Sequence, residues 1–194
     1  DYFTEPKKVN MEHDFIASLI ASGERVYSYK SPEYIKDAGT PERFVKIEKE
    51  IEAGLVSARN LKNKQKAIFL DRDGTINVYK GFIKSADDIE LLPGVGEAIG
   101  KINESGYLAI IVSNQPVIAR GECSRAEVER EFDKIQTLLG EKGVFIDGVY
   151  YCPHHPHSGF KGEVKRLKKI CRCRKPDTGM IEAAAKDFNL DVSA

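Results

Sequence analysis

Asp71 and Asp73 stand one residue apart at the end of an apolar run, Ala67-Ile68-Phe69-Leu70, and Gly74 and Thr75 follow them. Two carboxylates at this spacing can divide the work of ester hydrolysis: one attacks the electrophile, while the other carries a proton to the leaving group and later activates water. That division suits a phosphate monoester. Taken alone, D-x-D-G reads first as a strand-end turn with both aspartates solvated, so the rest of the chain has to decide. A second reactive set lies further on, in Cys152-Pro153-His154-His155-Pro156-His157 and Cys171-Arg172-Cys173. Its C-x-H and C-x-C arms suit a tetrahedral Zn²⁺ site of three sulfurs and one nitrogen, which is structural because no coordination position stays open for water. The bland alternative is a histidine-rich surface loop with free thiols. His154, His155 and His157 are each possible nitrogen donors.

These residues need elements to position them. The apolar run before Asp71 reads as a buried strand emptying into a polar turn. Pro93-Gly94 opens a helix extending to about Ser105-Gly106. Tyr107-Leu108-Ala109-Ile110-Ile111-Val112 is a second β-prone run, ending in Ser113-Asn114-Gln115. Ser124-Arg125-Ala126-Glu127 is a capping box, and Val128, Phe132, Ile135, Leu138 and Leu139 form the apolar stripe of the helix it starts. Residues 144–151 supply a third strand. Strand, helix, strand, helix, strand predicts an α/β fold with a doubly wound, Rossmann-like parallel sheet, whose ligands gather beyond the carboxyl ends of the strands. Between the first strand and the helix at Pro93, residues 77–88 read as a polar loop.

Upstream, Phe15, Ile16, Leu19 and Ile20 share one helical face within residues 10–22, and Arg25-Val26-Tyr27-Ser28-Tyr29 alternates like a short strand. Tyr34-Ile35-Lys36-Asp37-Ala38-Gly39-Thr40-Pro41-Glu42-Arg43 is a turn leading into a helix that runs to about Ala53-Gly54. Residues 55–65 lack periodicity and read as a linker. The organisation expected is therefore a small α+β segment over 1–54, a linker over 55–65 and a domain over 66–194. Beginning without methionine and stopping just after a helical pattern, the chain is expected to be a fragment of a longer polypeptide.

Composition narrows the partners. Lys+Arg and Asp+Glu both count 30, so the net charge is zero and no nucleic-acid or anionic-membrane partner is implied. No apolar run approaches the ~20 residues of a membrane span, and the first residues are not a signal peptide. A soluble, cytoplasmic protein is expected, in which a C-x-C pair near histidines points to metal rather than disulfides.

F-L-D-R-D-G-T resembles the first motif of the haloacid dehalogenase (HAD) superfamily of phosphatases. Ser113 and Asn114 match its second motif, whose hydroxyl and nearby amides bind phosphoryl oxygens, and Lys175 matches the third, a lysine that neutralises nucleophile and phosphate. The resemblance implies that Asp71 attacks phosphorus to form an aspartyl-phosphate, that Asp73 is the general acid and base, and that Mg²⁺ binds at Asp71 and the backbone carbonyl of Asp73. The fourth motif, acidic residues completing the metal site, would follow Leu190-Asp191, where the chain ends. A molecule of these 194 residues alone is expected to bind Mg²⁺ weakly and turn over little.

With F-L-D-R-D-G-T-I-N, S-N-Q-x-x-I-A-R-G, Y-Y-C-P-H-H-P and C-R-C-R-K-P-x-x-G-M, residues 66–191 resemble the heptose 1,7-bisphosphate phosphatases and the related histidinol-phosphate phosphatases. This implies Zn²⁺ on Cys152, His154, Cys171 and Cys173, with Arg174 and Lys175 placed beside the phosphate. Pro116-Val117 departs from the small Ser-Gly pair usual there. Residues 34–43 resemble the closing segment of sugar-phosphate nucleotidyltransferases, in which the aspartate matching Asp37 helps hold a metal, although the turn is equally explicable as a plain cap. A transferase fused upstream of a phosphatase would activate the heptose 1-phosphate left after removal of the 7-phosphate, which favours heptose over histidinol phosphate. Arg120, Arg174 and the basic run 165–169 could receive the second phosphate. A non-catalytic zinc-stabilised binding module, or a nucleic-acid-binding zinc domain, are the readings from another class.

Overall fold

The computed structural model describes residues 8–27, 29, 31–81, 83 and 85–193. The chain divides into two units between Ser31 and Pro32. In the first, Asn10 opens the helix expected over 10–22: its Oδ1 accepts the N–H groups of Glu12 and His13, both at 2.9 Å. A wide turn, Met11–Ile16, continues into α1 (Ala17–Ala21). The strand expected at 25–29 is not found. Ser28 lies outside the described residues, Arg25, Val26, Tyr27 and Tyr29 carry no strand, and Tyr27 and Tyr29 are 81% and 94% exposed. Alternation alone cannot hold an extended segment whose backbone has no partner ladder. The described part of residues 1–54 is thus helix and turn, not α+β.

The second unit begins with α2 (Pro41–Glu52), capped by Thr40 and carrying Pro41 where a missing N–H costs nothing, and α3 (Leu55–Ala58). Residues 55–65 are firmly held. Arg59 is buried and ion-paired with the buried Asp147 at 2.7 Å, and its Nη2 donates to the Tyr107 carbonyl. Gln65, fully buried, donates from Nε2 to the carbonyls of Asn60 and Asn63.

Three parallel strands follow in the order β1 (Ala67–Leu70), β2 (Leu108–Asn114) and β3 (Gly148–Cys152). α4 (Val95–Glu104) connects β1 to β2. A short α5 (Val117–Arg120) and a long α6 (Arg125–Gly140) connect β2 to β3, and α7 (Gly179–Asp187) comes after the cysteine loop. Ser124 and Glu127 form the expected capping box on α6, with reciprocal bonds of 2.6 and 3.2 Å. Both faces of β2 are apolar because both are covered. Ala109 and Ile111 pack with Ile99 of α4 and Val128, Phe132, Ile135 and Leu139 of α6, while Leu108, Ile110 and Val112 meet Met180 and Ala184 of α7. Beside β1, Gln65 makes an isolated parallel bridge to Leu190.

The third strand starts four residues later than its sequence suggests. Asp147 Oδ2 accepts the Ala109 N–H at 2.8 Å, so a side chain occupies the donor that would have extended the ladder toward Val144. The loop after β1 is less polar than expected: Ile76 and Ile83 are buried, while Phe82 and Lys84 lie outside the described residues. No helix among the described residues is long and apolar enough to cross a membrane.

The Arg59–Asp147 pair ties the segment before β1 to the start of β3. Removing one partner of a buried pair leaves the other charge uncompensated at a cost of about 3–5 kcal/mol. Arg59→Leu is therefore expected to lower unfolding stability by about 3 kcal/mol in urea titrations, and an unchanged midpoint would mean that the pair anchors nothing.

Candidate active site

Leu70 of β1 lies opposite Ile111 of β2, so the residue leaving the first strand, Asp71, emerges beside the end of the second. There a cleft of about 370 Å³ is lined by Asp71, Asp73, Ser113, Asn114 and Lys175, together with Tyr79, Gln115 and Arg120. Six sequence-predicted residues thus meet in one place, Arg120 among them. Arg174 is not among them: its Nη1 donates to the His154 carbonyl at 3.2 Å, toward the cysteine loop.

The half-exposed Asp71 carboxylate receives Lys175 Nζ at 2.9 Å and the Arg72 N–H at 2.8 Å, both on Oδ1. Lys175 also donates to the Val112 carbonyl at 2.9 Å. Its backbone is locked by Asn114, whose Nδ2 donates to the Lys175 carbonyl and whose Oδ1 accepts the Lys175 N–H. The Asn114 amide is thereby committed to holding the lysine, which leaves Ser113 Oγ as the hydroxyl of that pair nearest the cleft chemistry. Pro116 and the buried Val117, Ile118 and Ala119 form a short helical turn at this point.

Asp73 is more tightly held than its neighbour. Arg72 Nε and Nη2 approach its Oδ1 at 3.0 and 2.9 Å, Asn77 Nδ2 joins at 3.2 Å, and Gln115 Nε2 donates to Oδ2 at 3.0 Å and to Ser113 Oγ at 2.9 Å. Gly74, at φ +78°, makes the turn that folds this loop back, and its N–H donates to the Asn77 carbonyl. Sequence reasoning missed Arg72, Asn77, Gln115 and the residue behind Arg72, the buried Glu131 of α6, which accepts Arg72 Nη1 at 2.5 Å. Burial pushes the Glu131 carboxyl pKa up, against the Arg72 charge. A signal was present: an acid sits within the apolar face between Val128 and Ile135.

Behind the cleft, Cys152, His154, Cys171 and Cys173 bring one donor atom each within 4.8 Å of one another. The Sγ–Sγ separations are 3.2, 3.4 and 3.5 Å, and His154 Nδ1 lies 3.2 and 3.6 Å from two of the sulfurs. A zinc ion bound to sulfur at ~2.3 Å would set tetrahedral edges of ~3.8 Å, so small outward shifts would seat it, and the S₃N donor set suits it. Burial holds the His154 imidazole below the usual histidine range, in the neutral form a metal needs. His155 is directed elsewhere, its Nδ1 accepting the His157 N–H and its Nε2 lying 3.4 Å from Arg120. His157 contributes no atom to the cluster.

A family model described as Polynucleotide kinase 3 phosphatase matches residues 66–194. Over 128 residues, 66% of this chain, the sequence is 42% identical to D-glycero-beta-D-manno-heptose-1,7-bisphosphate 7-phosphatase of Haemophilus ducreyi and 40% identical to that of Escherichia coli K12. The matched region covers 68% and 65% of those proteins, so the chain spans about two thirds of the length of the curated relatives it matches. Among solved structures, a HAD-like phosphatase from Mesorhizobium loti superposes with a TM-score of 0.61 at 36% identity, covering 66% of this chain and 59% of that one. A D,D-heptose 1,7-bisphosphate phosphatase from B. bronchiseptica, complexed with magnesium and phosphate, gives 0.56 at 32% identity and 66% of each chain. Through residues 66–194 the chain belongs to the HAD-type phosphatases, in the family of the heptose 1,7-bisphosphate 7-phosphatases.

Proposed function

We propose that this protein hydrolyses a sugar phosphate monoester through a covalent aspartyl-phosphate, and that its substrate is D-glycero-D-manno-heptose 1,7-bisphosphate, which loses the 7-phosphate. The observation that carries the reading is the convergence of Asp71, Asp73, Ser113 and Lys175 on one cleft at the strand ends. A phosphoryl group in flight needs a nucleophile, a proton carrier and fixed positive charge, and little else from the protein. In the first step an Asp71 oxygen forms a bond to phosphorus as the bond from phosphorus to the sugar oxygen breaks, and Asp73 gives that oxygen its proton. In the second, Asp73 takes a proton from water, the water oxygen bonds to phosphorus, and the Asp71–phosphorus bond breaks to release inorganic phosphate. Lys175 balances charge on Asp71 and the phosphoryl oxygens throughout, and Ser113 Oγ donates to one of them.

Mg²⁺ would be held by the Asp71 carboxylate and the backbone carbonyl of Asp73, where it supplies charge neutralisation for the phosphoryl oxygens. The half-exposed, hard oxygen donors of Asp71 fit that ion. Zn²⁺ would be held by Cys152, His154, Cys171 and Cys173 and would pin the loop that carries Lys175. Two features support heptose: the similarity to heptose bisphosphate phosphatases, and the D-x-G-T-P-E turn, which supports a transferase tail over residues 1–54, joined through 55–65 to a phosphatase domain over 66–194. Asp37 of that turn pairs with Arg43 and accepts the Gly39 N–H. Arg120 borders the cleft and is placed to meet a second phosphate. These substrates and steps are compatible with a cytoplasmic protein that binds neither nucleic acid nor membrane.

In a Mg²⁺-dependent phosphate-release assay on the full-length protein, heptose 1,7-bisphosphate is expected to be cleaved well ahead of histidinol phosphate, and Asp71→Asn to lower release at least about a thousandfold. Faster release from histidinol phosphate would keep the mechanism and reject the sugar. Release from neither would favour a non-catalytic zinc module.

Cys171→Ser is expected to cut bound zinc, measured by elemental analysis, from about one ion per chain to a small fraction, and to lower the melting temperature, whereas Asp71→Asn should leave zinc content unchanged. Equal zinc in both variants would contradict the assignment.

A further inference from the structure

Arg72 follows the proposed nucleophile in sequence but points away from it. Its side chain is 3% exposed, with the guanidinium 5.3 Å over the Phe132 ring of α6. A guanidinium taken this far from water costs several kcal/mol unless its donors are matched by carboxylates. Two acids match them from opposite sides. Nη1 meets Glu131 Oε2 at 2.5 Å in the core, and Nε and Nη2 meet Asp73 Oδ1 at the cleft. Glu131 is itself 1% exposed. Its other oxygen faces the Cys123 thiol at 3.9 Å, a thiol that burial and the Glu131 charge push up to about 11 and so keep protonated.

The planar guanidinium fixes the angle between its two acid partners. The plane of Arg72 is set by where Glu131 holds Nη1, and that plane in turn sets where Asp73 Oδ1 must lie. Gln115 and Asn77 complete the set of donors on Asp73, but each is a single amide bond, whereas Arg72 brings two N–H groups of a charged guanidinium onto the one oxygen Oδ1. Phe132, one residue after Glu131, stacks on Tyr151 of the third strand at 5.5 Å, so α6 delivers Glu131 from a fixed base.

From this geometry we infer that Glu131 is a positioning residue for the reaction: through Arg72 it orients the carboxyl group of Asp73 toward the ester oxygen of the substrate. The inference rests on the phosphatase reading and adds to it a residue on α6 that touches neither substrate nor phosphate. It separates two functions that a merely structural ion pair would not separate. An acid that is misaimed slows expulsion of a poor leaving group, an alkoxide that needs the proton, and spares expulsion of a good one, such as 4-nitrophenolate, which leaves without it.

The test compares Glu131→Ala and the isosteric Glu131→Gln with the unmodified full-length protein, on the sugar bisphosphate and on 4-nitrophenyl phosphate. The readouts are steady-state kcat and KM on the first and the pre-steady-state burst of nitrophenolate on the second. Glu131→Ala is expected to lower kcat on the sugar ester by about 30-fold, part of the 10²–10⁴ typical of acid–base assistance. KM should stay within about twofold and the burst rate within about threefold, because phosphoryl binding and Asp71 are untouched. Glu131→Gln, which still accepts Nη1, should recover most of the loss. Equal losses on both esters, a rise in KM that accounts for the effect, or wild-type kcat in Glu131→Ala would overturn the inference. If the unmodified protein cleaves neither ester, the inference falls together with the reading it rests on; if it cleaves both and the variants match it, the inference falls alone.

Discussion

The ammonium of Lys175 is where three parts of the chain come together, and the cleft depends on it. It bonds Asp71 at the end of β1 and the Val112 carbonyl near the end of β2, while its own backbone is held by Asn114. Two carboxylates at one strand end repel each other and would drift toward solvent without a fixed cation beside them. Lys175 and Arg72 supply that charge from opposite sides, one to Asp71 and the other to Asp73. Each acid thereby has its own cation, and that separation suits them to different roles.

Holding Lys175 is a problem of chain length. Between β3 and α7 runs a stretch whose only regular element among the described residues is the short turn Lys165–Leu167, and closing so long a loop carries an entropic cost. Zinc on the Cys/His cluster would answer it, with one arm on the end of β3 and the other two residues before Lys175. A second fastening is steric. Gly121, at φ +74° after α5, lies so close to the Gly162 carbonyl that an added Cβ would sit 1.9 Å from that oxygen. Zinc at the cysteines would thus hold the loop near Lys175, while Gly162 already packs it against the turn that follows Arg120.

Much of this was legible in the sequence, and the failures have identifiable causes. β2 declared itself as an apolar run because a strand buried on both faces has no polar alternation to hide it, whereas β1, read from the same kind of run as a buried strand, is only partly buried and leaves Ile68 exposed. Ser124 and Glu127 marked the start of α6 through a local hydrogen-bond pattern that needs no tertiary context. The strand expected at residues 25–29 was a pattern without a partner among the described residues, and only pairing could have tested it. The late start of β3 depends on one side chain, Asp147, reaching across to Ala109, a contact between residues 38 apart. At the site, the types and spacing of Asp71 and Asp73 suggested ester chemistry, whereas Ser113 and Lys175, commonplace by type, were expected there only through the resemblance of their motifs. The commitment of Asn114 to the lysine backbone and the turn of Arg174 toward His154 could not be read, since both depend on which way a side chain faces once the loop has closed.

In the proposed mechanism Asp71 carries the phosphoryl group. Acid quenching of the full-length Asp73→Asn protein during turnover of 4-nitrophenyl phosphate, whose leaving group departs without the acid, followed by peptide mass spectrometry, tests it directly, because loss of the base slows hydrolysis of the intermediate and lets it accumulate. One added phosphoryl group is expected on the peptide containing Asp71, removed by hydroxylamine as an acyl phosphate would be. Phosphate release with no modified Asp71, or with the phosphoryl group on Ser113, would contradict it.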